Sequence, residues 1–179
     1  LVHPLEIYYF TGVLLPESFP APPAVFWFEA DGNSWLAAHT DEGDPLVDES
    51  VTYEWSIGGT VNSYLRTQLG ELVVDRLQAK NTKAGRVGYQ REFMGKLLAD
   101  RIEKGLGGAP EWVDVDEMLN QMQEVKDDDE LALMRKAVQI DLAAYDAAQQ
   151  AISPGVNELE VLGAAQQAAH LAAGEKVFH

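Results

Sequence analysis

A chain of 179 residues with 46% hydrophobic and 23% charged content has the make-up of a globular protein. Its length suits one good core, or a domain of roughly 125 residues joined to part of another. A net charge of −16 opposes nonspecific nucleic-acid binding, which depends on Lys and Arg displacing counterions from phosphates. The absence of cysteine excludes disulfides and thiolate chemistry.

No apolar run approaches the roughly 20 residues that span a bilayer, and the N-terminus shows no secretory signal pattern. The expectation is a cytoplasmic protein with neither nucleic acid nor membrane as partner.

In chain order, Leu15 to Pro23 carries four prolines and reads as a loop. Ala24 to Ala30 and Ser34 to Thr40 are β-rich runs joined through Asp31-Gly32, which predicts a hairpin. Phe26 and Phe28 fall on one face of the first run and Val25 and Trp27 on the other, so both faces of that sheet should be covered. Asp41 to Ser50 is an acidic loop, and Val51 to Trp55 another short strand. Val61, Leu65, Leu69, Leu72 and Val73 draw a helical stripe that runs to about Gln78. A strand over Arg86 to Tyr89 follows, then a helix marked by Phe93, Leu97, Ile102 and Leu106, closed by Gly105 to Pro110. Trp112 to Val115 reads as a strand and Met118 to Met122 as a short helix. Strands alternating with helices in this way predict an α/β domain with a mixed β-sheet flanked by helices.

From Val125 to Glu160 the chain combines two helix starts with a Pro-Gly break. Asp127 can cap a helix while Glu130, three residues on, reaches back to the capping residue's N–H, and Asp127, Asp128 and Asp129 place negative charge at the positive end of the helix dipole. Leu131, Met134, Val138, Leu142 and Tyr145 then recur at spacings of three and four, one apolar stripe on a helix ending before Ser153-Pro154-Gly155. Asn157 with Glu160 repeats the capping arrangement for a second helix.

Lys126, Glu130, Leu131, Met134, Arg135, Lys136 and Ala137, followed by Ile152, Pro154, Gly155, Glu158 and Glu160, resemble the opening of the catalytic domain in the metallopeptidase family of creatinase, prolidase and Xaa-Pro aminopeptidase. Near the other end, Ile7-Tyr8-Tyr9-Phe10-Thr11-Gly12 resembles the N-I-x-Y-L-T-G segment of that family's N-terminal domain, with Glu6 where Asn is usual. The resemblance implies a creatinase/prolidase-like N-terminal domain over residues 1–125, clipped at its start. The first two helices of a truncated pita-bread catalytic domain would follow over 126–179. It also implies a metal-dependent Xaa-Pro peptidase acting on short peptides, an aminopeptidase or dipeptidase. Two divalent ions (Mn, Co or Zn) are expected in the intact enzyme, with the family's ligands lying downstream of these helices, and a homodimer is the expected assembly. A non-peptidase member of the fold, such as a creatinase-like hydrolase or lyase, and a non-catalytic interaction module are the alternatives.

Residue by residue, the chain offers no catalytic and no metal-ligating set of its own. His3, His39, His170 and His179 have no HExxH-type partner, and Asp127 to Asp129 are accounted for by capping. Gly105-Leu106-Gly107-Gly108 follows a helix instead of opening one, so it reads as a C-cap and turn and not a phosphate loop. Arg135 reads as a surface ion pair or a brace between the domains. Tyr53 and Trp55, ending a strand just before Gly58-Gly59, are the candidates for a substrate or interface role, since aromatic residues at such loop edges are enriched in interfaces.

Overall fold

The computed structural model describes residues 1–15, 22–39, 44–53 and 65–177. Pro4 in the first turn and Gly12 just past the last bracket a first helix, α1 (Pro4–Thr11). Gly12 takes the left-handed φ of 72° that closes the helix, its N–H donating to the Tyr8 carbonyl. Thr11 is fully buried, its hydroxyl donating to the Ile7 carbonyl at 2.6 Å and accepting from the Val13 N–H at 3.2 Å. The Thr-Gly pair therefore has a structural reason: one residue satisfies the helix end inside the core, and the other turns the chain out of it.

Three strands follow, β1 (Val25–Phe28), β2 (Ser34–Ala38) and β3 (Glu49–Thr52), with β1 antiparallel and β3 parallel to β2. The expected hairpin forms between β1 and β2, but its loop is wider than a two-residue turn. The Glu29 N–H bonds back to the Asn33 carbonyl, and Asp31 accepts from both the backbone and the side-chain amide of Asn33. Alternation along the strands builds two cores. Val25, Trp35 and Ala37 join Leu69, Val73 and Leu77 of α2 (Leu65–Ala79) and Ile102 and Leu106 of α3 (Lys96–Leu106). Phe26, Leu36 and Ala38 join Ile7, Val13, Leu15 and Ala24 on the opposite face. Both faces of the sheet are thus covered, and all five residues of β2 are buried. Leu36, Leu69 and Leu77, all nearly or fully buried, contribute about 1.5–3 kcal/mol each by leaving water.

Polar ties hold the sheet's rim. Asp48 accepts from the N–H and hydroxyl of Ser34 at 2.7 and 2.9 Å, and the Ser34 hydroxyl bond is the main reason its carboxyl titrates below the usual range. Glu49 pairs with Arg76 and, at 3.7 Å, with Lys80, which anchors β3 to α2.

A second pair of strands, β4 (Arg86–Tyr89) and β5 (Glu111–Asp114), runs parallel, connected through α3. Val87 and Trp112 pack against the core that lies under β1 and β2. Leu1 and Phe26 exchange both backbone hydrogen bonds, the pattern of one antiparallel pair. The side chain of Gln90, only 2% exposed, accepts from the Val2 and His3 N–H groups at 2.6 and 3.0 Å. One buried carboxamide therefore ties the first residues to the end of β4.

The chain divides into two compact units, Leu1–Asn120 and Gln121–His179, the division falling within α4 (Asp116–Glu124). The second unit contains the helices α5 (Asp128–Ala151) and α6 (Glu158–Ala173). The capping box at Asp127 forms as its spacing predicts, with Glu130 bonded to Asp127 in both directions at 2.8 and 2.9 Å. At α6 the arrangement differs: the Asn157 side chain accepts from the Leu159 N–H, the second helical residue, instead of pairing with Glu160. Beyond Leu131, the apolar stripe of α5 is also not its packed face. Met134, Val138, Leu142 and Tyr145 are exposed, and the less exposed residues include Leu131, Ile140, Ala143, Ala144, Ala147, Ala148 and Ala151 on α5 with Val161, Ala164, Ala165, Ala168 and Ala169 on α6. Small side chains let two helix backbones approach closely.

Candidate functional site

Tyr53 follows β3, its N–H donating to the Ala38 carbonyl at 3.1 Å. Its ring packs against the core shared by Val25 and Trp35, and its hydroxyl donates to the Pro23 carbonyl. Burial holds that hydroxyl's pKa above the ordinary tyrosine value. A neutral, hydrogen-bonded tyrosine in this position fastens the approach to β1 to the end of β3. Trp55, Gly58 and Gly59 lie outside the described residues.

The histidines occupy separate places. The His3 ring lies 4.0 Å from the Phe93 ring, and its Nδ1 contacts Glu6, the residue standing where the family-like motif has Asn. His39 is half-buried just past β2, and His170 Nδ1 accepts from the Val177 N–H at 3.0 Å beyond the end of α6. His179 lies outside the described residues. Arg135 is exposed on α5. The Gly-rich run closes α3: Gly107, just past its end, has a φ of 73°, its N–H donating to the Glu103 and Lys104 carbonyls.

One recess is assembled from parts that no single stretch of sequence displays. Arg91 and Glu92 follow β4, Asp114 ends β5, and Asp116, Glu117 and Asn120 belong to the start of α4. It lies beyond the carboxyl ends of two parallel strands, where ligands of α/β sheets commonly sit. The Glu92 N–H donates to Asp116 at 3.2 Å, the Asp116 N–H donates to Asp114 at 3.0 Å, and the Arg91 guanidinium stands 4.0 Å from Asp114. Asp116 and Glu117 also complement the positive end of the α4 dipole. Much of this polarity therefore serves the loop and helix start around it. The excess of carboxylates favours cations over anions, but among the described residues no three His, Asp or Glu side chains converge as a metal site. The metal pair implied by the sequence resemblance accordingly does not fit any set of described residues. Among those residues, too, no helix is long and apolar enough to cross a membrane.

No protein-family model matches the chain. It is 27% identical over 92 residues to the "putative dipeptidase YkvY" of Bacillus subtilis (strain 168), a match covering 51% of this chain and 25% of that protein. Its fold is similar to that of the prolidase from Pyrococcus furiosus (TM-score 0.68, 15% identity, 96% of this chain and 47% of the other). The prolidase from Pyrococcus horikoshii OT3 is similar too (TM-score 0.67, 14% identity, 95% and 43%). So is the X-Pro aminopeptidase from Thermotoga maritima MSB8 (TM-score 0.67, 15% identity, 94% and 43%). The chain spans less than half the length of each of these proteins. Carried by the motifs at Ile7–Gly12 and Lys126–Glu160 and by this shared α/β fold, the similarity of the chain is to the creatinase/prolidase family.

Proposed function

We propose that these residues are the N-terminal portion of a metal-dependent Xaa-Pro peptidase, an aminopeptidase or dipeptidase cleaving short peptides. The observation that carries this reading is the extent of the fold similarity: it takes in at least 94% of the chain, so it includes the α5–α6 pair as well as the α/β unit. The work assigned to these residues is assembly and substrate selection. In this reading hydrolysis belongs to ligands and metal ions supplied from elsewhere in a longer enzyme. The exposed stripe of Met134, Val138, Leu142 and Tyr145 suits this assignment, as a face on which the rest of a catalytic domain would pack. Homodimerisation, a cytoplasmic location and Mn, Co or Zn as the metal belong to the same proposal.

The test is hydrolysis of Xaa-Pro dipeptides and Xaa-Pro-Xaa tripeptides by the full-length polypeptide, with and without Mn, Co or Zn, beside the 179-residue chain alone. Metal-dependent cleavage by the full-length protein and none by the short chain is the expected result. Turnover by the short chain would overturn the division of labour, and a full-length protein that ignores these peptides but hydrolyses a creatine-like substrate would move it to the non-peptidase branch. In the active protein, Trp55→Ala should change KM or dimer stability; a variant with both unchanged removes Trp55 from the site.

A further inference from the structure

We draw no further inference here: the strongest candidate, the exposed apolar face of α1 formed by Leu5, Tyr8 and Tyr9, carries none because nothing in the structure shows what covers it.

Discussion

Replacing Gly105 with alanine sets two effects against each other, and packing decides the sign. Alanine is the better helix former by about 1 kcal/mol in a helix interior, but Gly105 is the next-to-last residue of α3, where the helix is prone to fray and less of that gain is realised. A Cβ at this position would lie 2.9 Å from Leu77 Cδ1, 3.1 Å from Leu77 Cβ and 3.2 Å from Val74 Cα. Leu77 is fully buried, Val74 nearly so, and the Val74 Cα is backbone, so neither can swing aside. Relief requires α2 and α3 to separate, loosening Val73, Ile102 and Leu106 with them. Overpacking of this kind costs about 1–3 kcal/mol, so the expected net destabilisation is about 1–2 kcal/mol. Gly163 in α6 has nothing within 4 Å of its would-be Cβ, and the same change there should stabilise by about 0.5–1 kcal/mol.

The assay separates the two units. All four tryptophans, Trp27, Trp35, Trp55 and Trp112, precede Gln121, so indole fluorescence follows the first unit alone, while far-UV circular dichroism also sees α5 and α6. With a urea slope of about 2 kcal/mol per molar, Gly105→Ala should lower the fluorescence midpoint by about 0.5–1 M. Gly163→Ala should leave that midpoint alone and raise the transition seen only by circular dichroism. A Gly105→Ala chain with an unchanged or higher fluorescence midpoint would refute the tight α2–α3 crossing.

Gln90→Leu keeps much of the side chain's bulk but removes the acceptor shared by Val2 and His3. Leaving two part-buried N–H groups unpaired should cost about 2–4 kcal/mol, read as a lower urea midpoint by fluorescence; an unshifted midpoint would mean that Gln90 does not fasten the first residues. Tyr53→Phe deletes the bond to the Pro23 carbonyl, with an expected loss of about 1 kcal/mol at neutral pH. The pH dependence has a definite sign. The folded-state pKa of Tyr53 is raised above the ordinary value of 10.0, so above that pH the unfolded chain loses a proton that the folded chain keeps, and stability falls as pH rises further. Urea midpoints from pH 9 to the alkaline limit should therefore decline less steeply in Tyr53→Phe than in the parent, and parallel declines would contradict the assignment. Asp127→Ala removes the side-chain acceptor for the Glu130 N–H, leaving only the bond from the residue's own N–H to the Glu130 carboxylate, and should destabilise α5 by about 1 kcal/mol. The loss should appear in the circular dichroism transition and not in tryptophan fluorescence.

The elements with strong local punctuation are legible in the sequence alone. The β1–β2 hairpin had Asp31-Gly32, β4 and β5 sat either side of a periodic helix, and α5 announced itself by an acid triplet with Glu130 at capping distance. The first helix was not legible as a helix, because its eight residues, PLEIYYFT, are apolar nearly all round and show no contrast between faces. Tyr53 was visible as an aromatic at a strand end, but its hydrogen-bond partner lies 30 residues earlier, a pairing no local pattern encodes. The recess of Arg91, Asp114 and Asp116 was hidden for the same reason: two strand ends and a helix start meet only through the β4–α3–β5 crossover.

In α5 the periodic stripe is legible from its spacing alone, and most of it is exposed in the structure. Spacing shows which residues share a face, but it does not show whether that face or the alanine-rich one beside it meets the neighbouring helix. Here most of the less exposed residues of α5 and α6 are alanines, each of which withdraws little apolar area from water. The four large side chains at Met134, Val138, Leu142 and Tyr145 stay about half exposed and gain correspondingly little from burial. The caps at Asp127 and Asn157 therefore matter to a pair that buries little large apolar surface. Under the proposed function the stripe is covered by the remainder of a catalytic domain, which makes the helices at the end of this chain the part whose sequence is explained least by the residues around it.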